Sequence, residues 1–185
     1  TISLHQRELE KYNQFKQAML QKMFPKDGEK IPKVRFEGFE DEWELHKLGD
    51  VIELKNGYSF ESDTYVDNGK YGVLTIANVQ GHQYVDTTKF NKVNYLPENM
   101  QAHQFLKCGD ILISMTGNVG RISFVNVEGM LLNQRVGLIK PINQGTLDNY
   151  FLFYTLNNRR FEYDMIDKGQ GAAQLNIGKS DIEEY

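Results

Sequence analysis

Three short segments combine basic, amide and aromatic residues with glycine, and their side chains could hydrogen-bond to the edges of nucleic-acid bases. These segments are residues 55–60 (KNGYSF), 78–83 (NVQGHQ) and 116–121 (TGNVGR). Base recognition needs donors and acceptors on loops that fit a groove, and Arg, Lys, Asn and Gln have the matching geometry. The candidate residues in these segments are Lys55, Asn56, Tyr58, Asn78, Gln80, Asn118 and Arg121.

Three more basic residues could extend such a surface. Lys89 and Lys92 could contact phosphate groups, and Arg135 lies in an Asn-Gln-Arg segment between two apolar runs. A plainer interpretation is that Asn and Gly serve turn geometry, that the lysines serve solubility, and that the segment at 133–135 satisfies buried backbone. The residues alone leave both interpretations open.

No residues are arranged for catalysis, metal binding or cofactor binding. Cys108 and four scattered histidines have no metal-ligand spacing, and we expect Cys108 to be buried as a small hydrophobic residue. The Asn/Asp-Pro-Pro-aromatic motif of a DNA methyltransferase is absent, because no proline has a proline neighbour. The Gly-Gln-Gly segment at 169–171 also lacks the strand-to-helix context of a cofactor loop. The sequence therefore predicts no catalytic residue, no metal and no cofactor, and it argues against a methyltransferase, a phosphate-binding Gly-x-x-x-x-Gly-Lys-Ser/Thr loop and a nuclease site.

Composition predicts one domain with an appendage in a soluble, cytoplasmic protein. The chain has 185 residues, of which 40% are hydrophobic. It lacks the roughly 20 consecutive apolar residues of a membrane helix and the apolar core of a signal peptide. The net charge of −4 is unevenly spread, because residues 1–33 carry seven Lys/Arg against four Asp/Glu and residues 34–66 carry three against nine. A basic face on an acidic body is therefore possible.

The elements that must position these residues begin with a long helix. Residues 1–24 contain no Gly or Pro, and their apolar residues recur at spacings of three and four. This pattern predicts an amphipathic helix that ends at Pro25 and docks on a partner helix. The predicted interface residues are Leu9, Tyr12, Phe15, Met19 and Met23. Residues 25–33 form a polar linker.

After the linker, short apolar runs bounded by glycines predict an α+β domain over residues 34–185. We predict a short helix at 45–53 and a buried strand at 71–79. Residues 110–115 and 121–127 should be two strands joined by the Gly-Asn-Val-Gly turn, followed by a strand at 136–140. Residues 147–160 should form one helix with an aromatic face that packs in the core.

Several segments resemble, in order and spacing, the specificity subunits of Type I restriction-modification enzymes. KQAMLQKMFP (16–25) followed by VRFEGFEDEWELHKLGDV (34–51) resembles the junction between a spacer helix and a target-recognition domain. LKCGDILISMTGNVGRISFV (106–125), LLNQRVGLIKP (131–141) and GQGAAQLNIGKSDIEEY (169–185) resemble the core of that domain and its exit. Each segment is a loose pattern, and their joint order gives the resemblance its specificity.

The resemblance implies a non-catalytic protein that recognises one half of a split double-stranded DNA site. It also implies that modification subunits supply methylation, that a restriction subunit joins through them, and that a second spacer helix or a second copy of the chain pairs with residues 1–24. The main alternative is a protein-interaction module that uses the same helix. A methyltransferase fragment ranks third because its motifs are absent.

Overall fold

The structure is a computed structural model that describes residues 2–26, 28–143, 145, 147–170 and 174–185. The chain divides into two compact units, Thr1–His46 and Lys47–Tyr185. The predicted domain boundary at residue 34 stays a prediction, although residues 34–46 belong to the same unit as the first helix. No helix in the described ranges is both long and apolar enough to cross a membrane.

The first unit is built on helix α1, Ile2–Met23, which confirms the predicted long helix. Pro25 lies two residues beyond its end, where a residue without a backbone N–H keeps the helix from continuing. The segment after the helix folds back on this end, because the Val34 N–H donates to the Lys22 carbonyl at 3.0 Å. The rings of Phe24 and Trp43 then pack edge to face, with centroids 5.5 Å apart.

The second unit contains seven strands, four α-helices and two short 3₁₀ helices within the described residues, so the α+β class is confirmed. The α-helices are α2 (Leu48–Val51), α3 (Asn149–Leu156), α4 (Arg159–Lys168) and α5 (Lys179–Glu183). The strands are β1 (Ile52–Asn56), β2 (Tyr71–Leu74), β3 (Asn91–Val93), β4 (Ile111–Ser114), β5 (Ile122–Phe124), β6 (Leu131–Leu132) and β7 (Val136–Pro141).

The buried hydrophobic residues form three clusters, of which the two largest lie beneath the helices and between the two sheets. One sheet has the strand order β1-β7-β4-β5, and the other has the order β3-β2-β6, with β2 and β6 parallel. Ile111 and Ile113 of β4 pack in the core beneath the helices, whereas Leu112 packs in the core between the sheets. Strand β4 is therefore buried along its whole length because both of its faces are covered.

The predicted hairpin is present, since β4 and β5 pair antiparallel around the turn at 117–120. Other element boundaries were wrong. The strand predicted at 71–79 ends at Leu74, because the Asn78 carboxamide accepts the Thr75 N–H and forms a turn. The helix predicted at 45–53 shrinks to α2, because Ile52 and the residues after it pair with β7.

The helix predicted at 147–160 is two helices. Asn158 begins α4 as its N-cap, since its side chain accepts the Phe161 N–H at 3.0 Å. The predicted aromatic face packs in the core only in part: Tyr154 lies against the core, whereas Tyr150 and Phe151 are 55% and 38% exposed. The buried ring of α3 is instead Phe153, which stacks on Phe124 with centroids 4.7 Å apart. Cys108 is exposed in the turn before β4, so the expectation that it is buried was wrong.

Two buried serines on neighbouring strands make a matched stability test. Ser114 and Ser123 are both fully buried. The Ser114 hydroxyl donates to the Asn118 carbonyl and accepts the Arg121 N–H, whereas Ser123 Oγ has no hydrogen-bond partner in the described part of the chain. We expect Ser114→Ala to lower the free energy of unfolding by about 1–3 kcal/mol and Ser123→Ala to leave it nearly unchanged. Denaturant unfolding measures both, and a larger loss for Ser123→Ala would contradict the prediction.

Candidate nucleic-acid interface

The loops that carry the candidate residues lie at one end of both sheets, because the strands that lead into them point the same way. Strand β1 ends at Asn56, which pairs with Gly137 at the start of β7, and Ser114 at the end of β4 pairs with Val136. In the second sheet, β2 and the parallel β6 end side by side. We call the loops at 56–60, 75–89, 115–121 and 133–135 the loop end.

The turn at 133–135 is held by backbone hydrogen bonds from three neighbouring segments. The Asn133 N–H donates to the Leu74 carbonyl at 3.1 Å, and the Gln134 N–H donates to the Tyr58 carbonyl at 2.9 Å. The Met115 N–H donates to the Arg135 carbonyl at 3.0 Å. The backbone of this turn is therefore fixed, while the Gln134 and Arg135 side chains are exposed.

Asn56 and Tyr58 lie beside this turn, as part of the same surface. The Asn56 carbonyl accepts His103 Nε2 at 2.9 Å, and the Tyr58 N–H donates to the Leu132 carbonyl at 2.7 Å. Gly57 between them touches the backbone of the turn, since a Cβ built there would lie 2.3 Å from the Asn133 carbonyl carbon. Only glycine allows the two segments this approach.

Asn78 does not belong to the exposed surface. Its side chain is 2% exposed, and its carboxamide oxygen accepts the N–H and hydroxyl of Thr75. Its carboxamide nitrogen donates to the carbonyls of Asp86 and Lys89 at 2.7 and 2.8 Å. All four hydrogen-bonding positions are thus used to shape the loop. We correct the sequence-based assignment and withdraw Asn78 from the predicted DNA contacts.

Arg121 and Gln80 are bonded to each other and to the fold. Arg121 donates from Nε to Glu162 of α4 at 3.1 Å and from a terminal nitrogen to the Gln80 carboxamide oxygen at 2.7 Å. Gln80 in turn donates to the carbonyls of Ile76 and Ala77. Both side chains therefore connect the loop at 76–81 to α4, and we withdraw both from the predicted base contacts.

The predicted lysines have different surroundings. Lys55 is half-buried and hydrogen-bonds to Glu53, and this bond holds the pKa of Glu53 below its usual value. Lys92 lies over the Phe90 ring at 5.7 Å, and Lys89 is exposed. Lys89 is thus the most accessible of these cations. Its backbone carbonyl accepts a hydrogen bond from the Asn78 carboxamide nitrogen.

Asn118 and Arg135 are exposed at the loop end, and the described residues offer no hydrogen-bond partner to either side chain. Two further polar residues of this surface, Asn176 and Lys179, escaped the sequence analysis as contacts, and Gln134 lies in the Asn-Gln-Arg segment from which only Arg135 was selected. Asn176 lies at this surface because the residues on either side of it bond to the turn after β4. The Gly117 N–H donates to the Leu175 carbonyl, and the Ile177 N–H donates to the Met115 carbonyl. No periodicity marks this long-range pairing, although all three residues lie in segments that carried the family resemblance.

The described residues contain no group of three or more His, Cys, Asp or Glu side chains placed to hold a metal ion. What the loop end offers instead is a fixed set of amides, hydroxyls and cations on rigid turns. This chemistry is that of recognition by hydrogen bonding and charge.

Residues 40–185 match the family described as the Type I restriction modification DNA specificity domain, and the chain belongs to this family. The predicted resemblance is confirmed.

Individual relatives agree with this family. The chain is 28% identical over 169 residues to the Type I restriction enzyme MjaVIII specificity subunit of Methanocaldococcus jannaschii, which covers 86% of this chain and 39% of that protein. It is similar in fold to the Type I S subunit from M. genitalium, with a TM-score of 0.60, 18% identity, and coverage of 84% of this chain and 36% of that one. The chain thus spans about two-fifths of the length of these relatives.

A second solved structure is the HsdS subunit from Thermoanaerobacter tengcongensis. The similarity has a TM-score of 0.61 at 19% identity, and it covers 99% of this chain and 40% of that chain. At this identity the likeness establishes the fold alone.

Proposed function

We propose that this chain binds a specific double-stranded DNA sequence through the loop end. The observation that carries the proposal is that strands from both sheets end together and present a rigid turn with an exposed arginine side chain, Arg135. Hydrogen-bonding side chains on fixed backbone are what base recognition requires, because a flexible group loses entropy on binding. Membership of the DNA specificity family supports the same function.

We further propose that the chain recognises one half of a bipartite site in the cytoplasm and carries no catalytic residue of its own. Modification subunits would methylate the DNA, and a restriction subunit would join through them. The direct test is selection from random DNA by the chain combined with a modification subunit. One enriched half-site is the expected result, and recovery of random sequence would contradict the proposal.

We also propose that α1 is the interface to a second spacer helix or to a second copy of the chain. The described residues of α1 include none that is buried, and its apolar stripe is open in this chain. Leu9, Tyr12 and Phe15 are 61%, 73% and 65% exposed, and Met19 and Met23 are half-buried. This observation equally favours the alternative of a protein-interaction module, which DNA competition separates from the leading proposal.

Charges on the stripe of α1 should weaken assembly and leave residues 47–185 folded. We expect this from Leu9→Glu, Tyr12→Glu and Met19→Glu combined, because each large apolar side chain buried against a partner contributes about 1.5–3 kcal/mol. The matched control is Gln14→Glu, Gln17→Glu and Gln21→Glu, which adds the same charge on the opposite face of the helix. Light scattering measures assembly and thermal melting measures folding. Equal loss of assembly in both triples would contradict the assignment of the stripe.

A further inference from the structure

A cleft of about 410 Å³ opens at the loop end, between β1, the turn after β4 and the segment that leads into α5. We call it the amide cleft. Met115 and Ile177 supply its apolar part. The residues that line it with polar side chains are Asn56, Thr116, Gln134, Asn176 and Lys179.

Several polar side chains of the amide cleft carry hydrogen-bond donors that have no partner among the described residues. Thr116 Oγ1 donates to the Asn176 carboxamide oxygen at 2.8 Å, so the Asn176 carboxamide nitrogen is the end of that side chain without a partner in the described ranges. Gln134 and Asn56 are exposed, and their side chains also have no hydrogen-bond partner among the described residues. Lys179 adds a cation that is 47% exposed, with Glu183 at 3.3 Å.

The residues that line the amide cleft carry a positive charge, whereas the whole chain carries a net negative charge. The whole chain carries 25 acidic against 21 basic residues, yet the residues that line the cleft include Lys179 and no carboxylate. Several donors around one cation suit an anion with several acceptor oxygens. A DNA phosphodiester is such a group, and it repeats along the strand whatever the base sequence.

We infer that the amide cleft binds a phosphodiester group of the DNA backbone and so positions the neighbouring Arg135 against a base edge. This inference rests on the proposed function and adds a division of labour to it. Asn56, Gln134, Asn176 and Lys179 set the position of the duplex, and Arg135 discriminates between bases. Contacts in the cleft therefore govern affinity for all sequences alike.

The first test compares Lys179→Gln with Lys107→Gln. Lys107 is an exposed lysine in the turn before β4, at the opposite end of the sheet, so the two variants change the net charge equally. For Lys179→Gln, the slope of log affinity against log salt concentration should fall in magnitude by about 0.9 on cognate and scrambled DNA alike. Lys107→Gln should keep the wild-type slope. An unchanged slope for Lys179→Gln, or a changed sequence preference, would overturn the inference.

The second test is Asn176→Asp. This change keeps an oxygen to accept the Thr116 hydroxyl and replaces the free donor with an anionic oxygen. We expect affinity to fall on the order of tenfold on every sequence, with the melting temperature retained. Retained affinity would overturn the inference. Displacement of DNA by inorganic phosphate at matched ionic strength, in wild type and not in Lys179→Gln, would support it, because free phosphate would then compete with the DNA for the cleft.

The two levels of proposal can fail separately. If wild-type protein binds DNA with no sequence preference, the proposed function fails, and the salt slopes of Lys179→Gln and Lys107→Gln still decide whether the cleft contacts phosphate. If wild-type protein selects one half-site and the two slopes are equal, the inference fails alone.

Discussion

Gly57→Ala should abolish specific DNA binding and lower the free energy of unfolding by about 1–3 kcal/mol, the cost of forcing one carbon into a packed site. The added Cβ would lie 2.3 Å from both the carbonyl carbon and the carbonyl oxygen of Asn133, and 2.5 Å from the Leu132 carbonyl oxygen. These atoms are backbone and cannot rotate away. The loop at 56–60 must therefore separate from the turn at 133–135, which dismantles the loop end.

The matched control for this change is Gly169→Ala. A Cβ at Gly169 would meet its nearest atoms at 3.4 Å, which is ordinary contact, and neither glycine has a positive φ that an alanine would strain. Gly169→Ala should therefore keep both stability and DNA binding. Thermal melting and binding titrations distinguish the two variants. Normal DNA binding by Gly57→Ala would show that the contact between the loop and the turn is dispensable for recognition.

Local patterns in the sequence predicted the elements that depend on local forces. Helix α1 followed from the spacing of its apolar residues, and the β4–β5 hairpin followed from two apolar runs around a Gly-Asn-Val-Gly turn. The failures have long-range or side-chain causes. Residues 71–79 read as one strand because Val79 is apolar, but Val79 is buried in the core from a turn that Asn78 holds.

The sequence predicted which segments form the candidate site better than it predicted the role of each side chain. Sequence placed most candidates on loops, and the fold brings these loops to one end. It could not tell Arg121 from Arg135, because both are arginines beside apolar strands. The difference arises from Glu162, forty-one residues beyond Arg121 in the chain, because Glu162 accepts a hydrogen bond from the Arg121 guanidinium and none from Arg135. Burial of Asn78 was hidden for the same reason, since its partners include residues eight and eleven positions away.

Arg135→Ala should relax sequence preference, whereas Arg121→Ala should weaken the fold. The Arg135 side chain is exposed on a turn whose backbone is fixed, so its guanidinium can meet the paired acceptors of a guanine edge. We expect its loss to cost about 1–3 kcal/mol on the cognate half-site and little on scrambled DNA. Arg121 joins Gln80 to Glu162, and since the ion pair is partly exposed its removal should lower the free energy of unfolding by only about 1 kcal/mol.

Lys89→Ala supplies the control for affinity without discrimination. Lys89 is exposed and is proposed to contact phosphate, so its loss should reduce binding by one factor on all sequences and lower the salt slope by about 0.9. Titrations of the three variants against cognate and scrambled half-sites at two salt concentrations measure preference and slope together, and thermal melting reports the fold. A guanine presents an acceptor pair that an arginine fork matches, whereas phosphates are identical along the duplex, so only Arg135→Ala should bring the two affinities together. If Arg121→Ala does so while the melting temperature is retained, Arg121 and not Arg135 contacts the base.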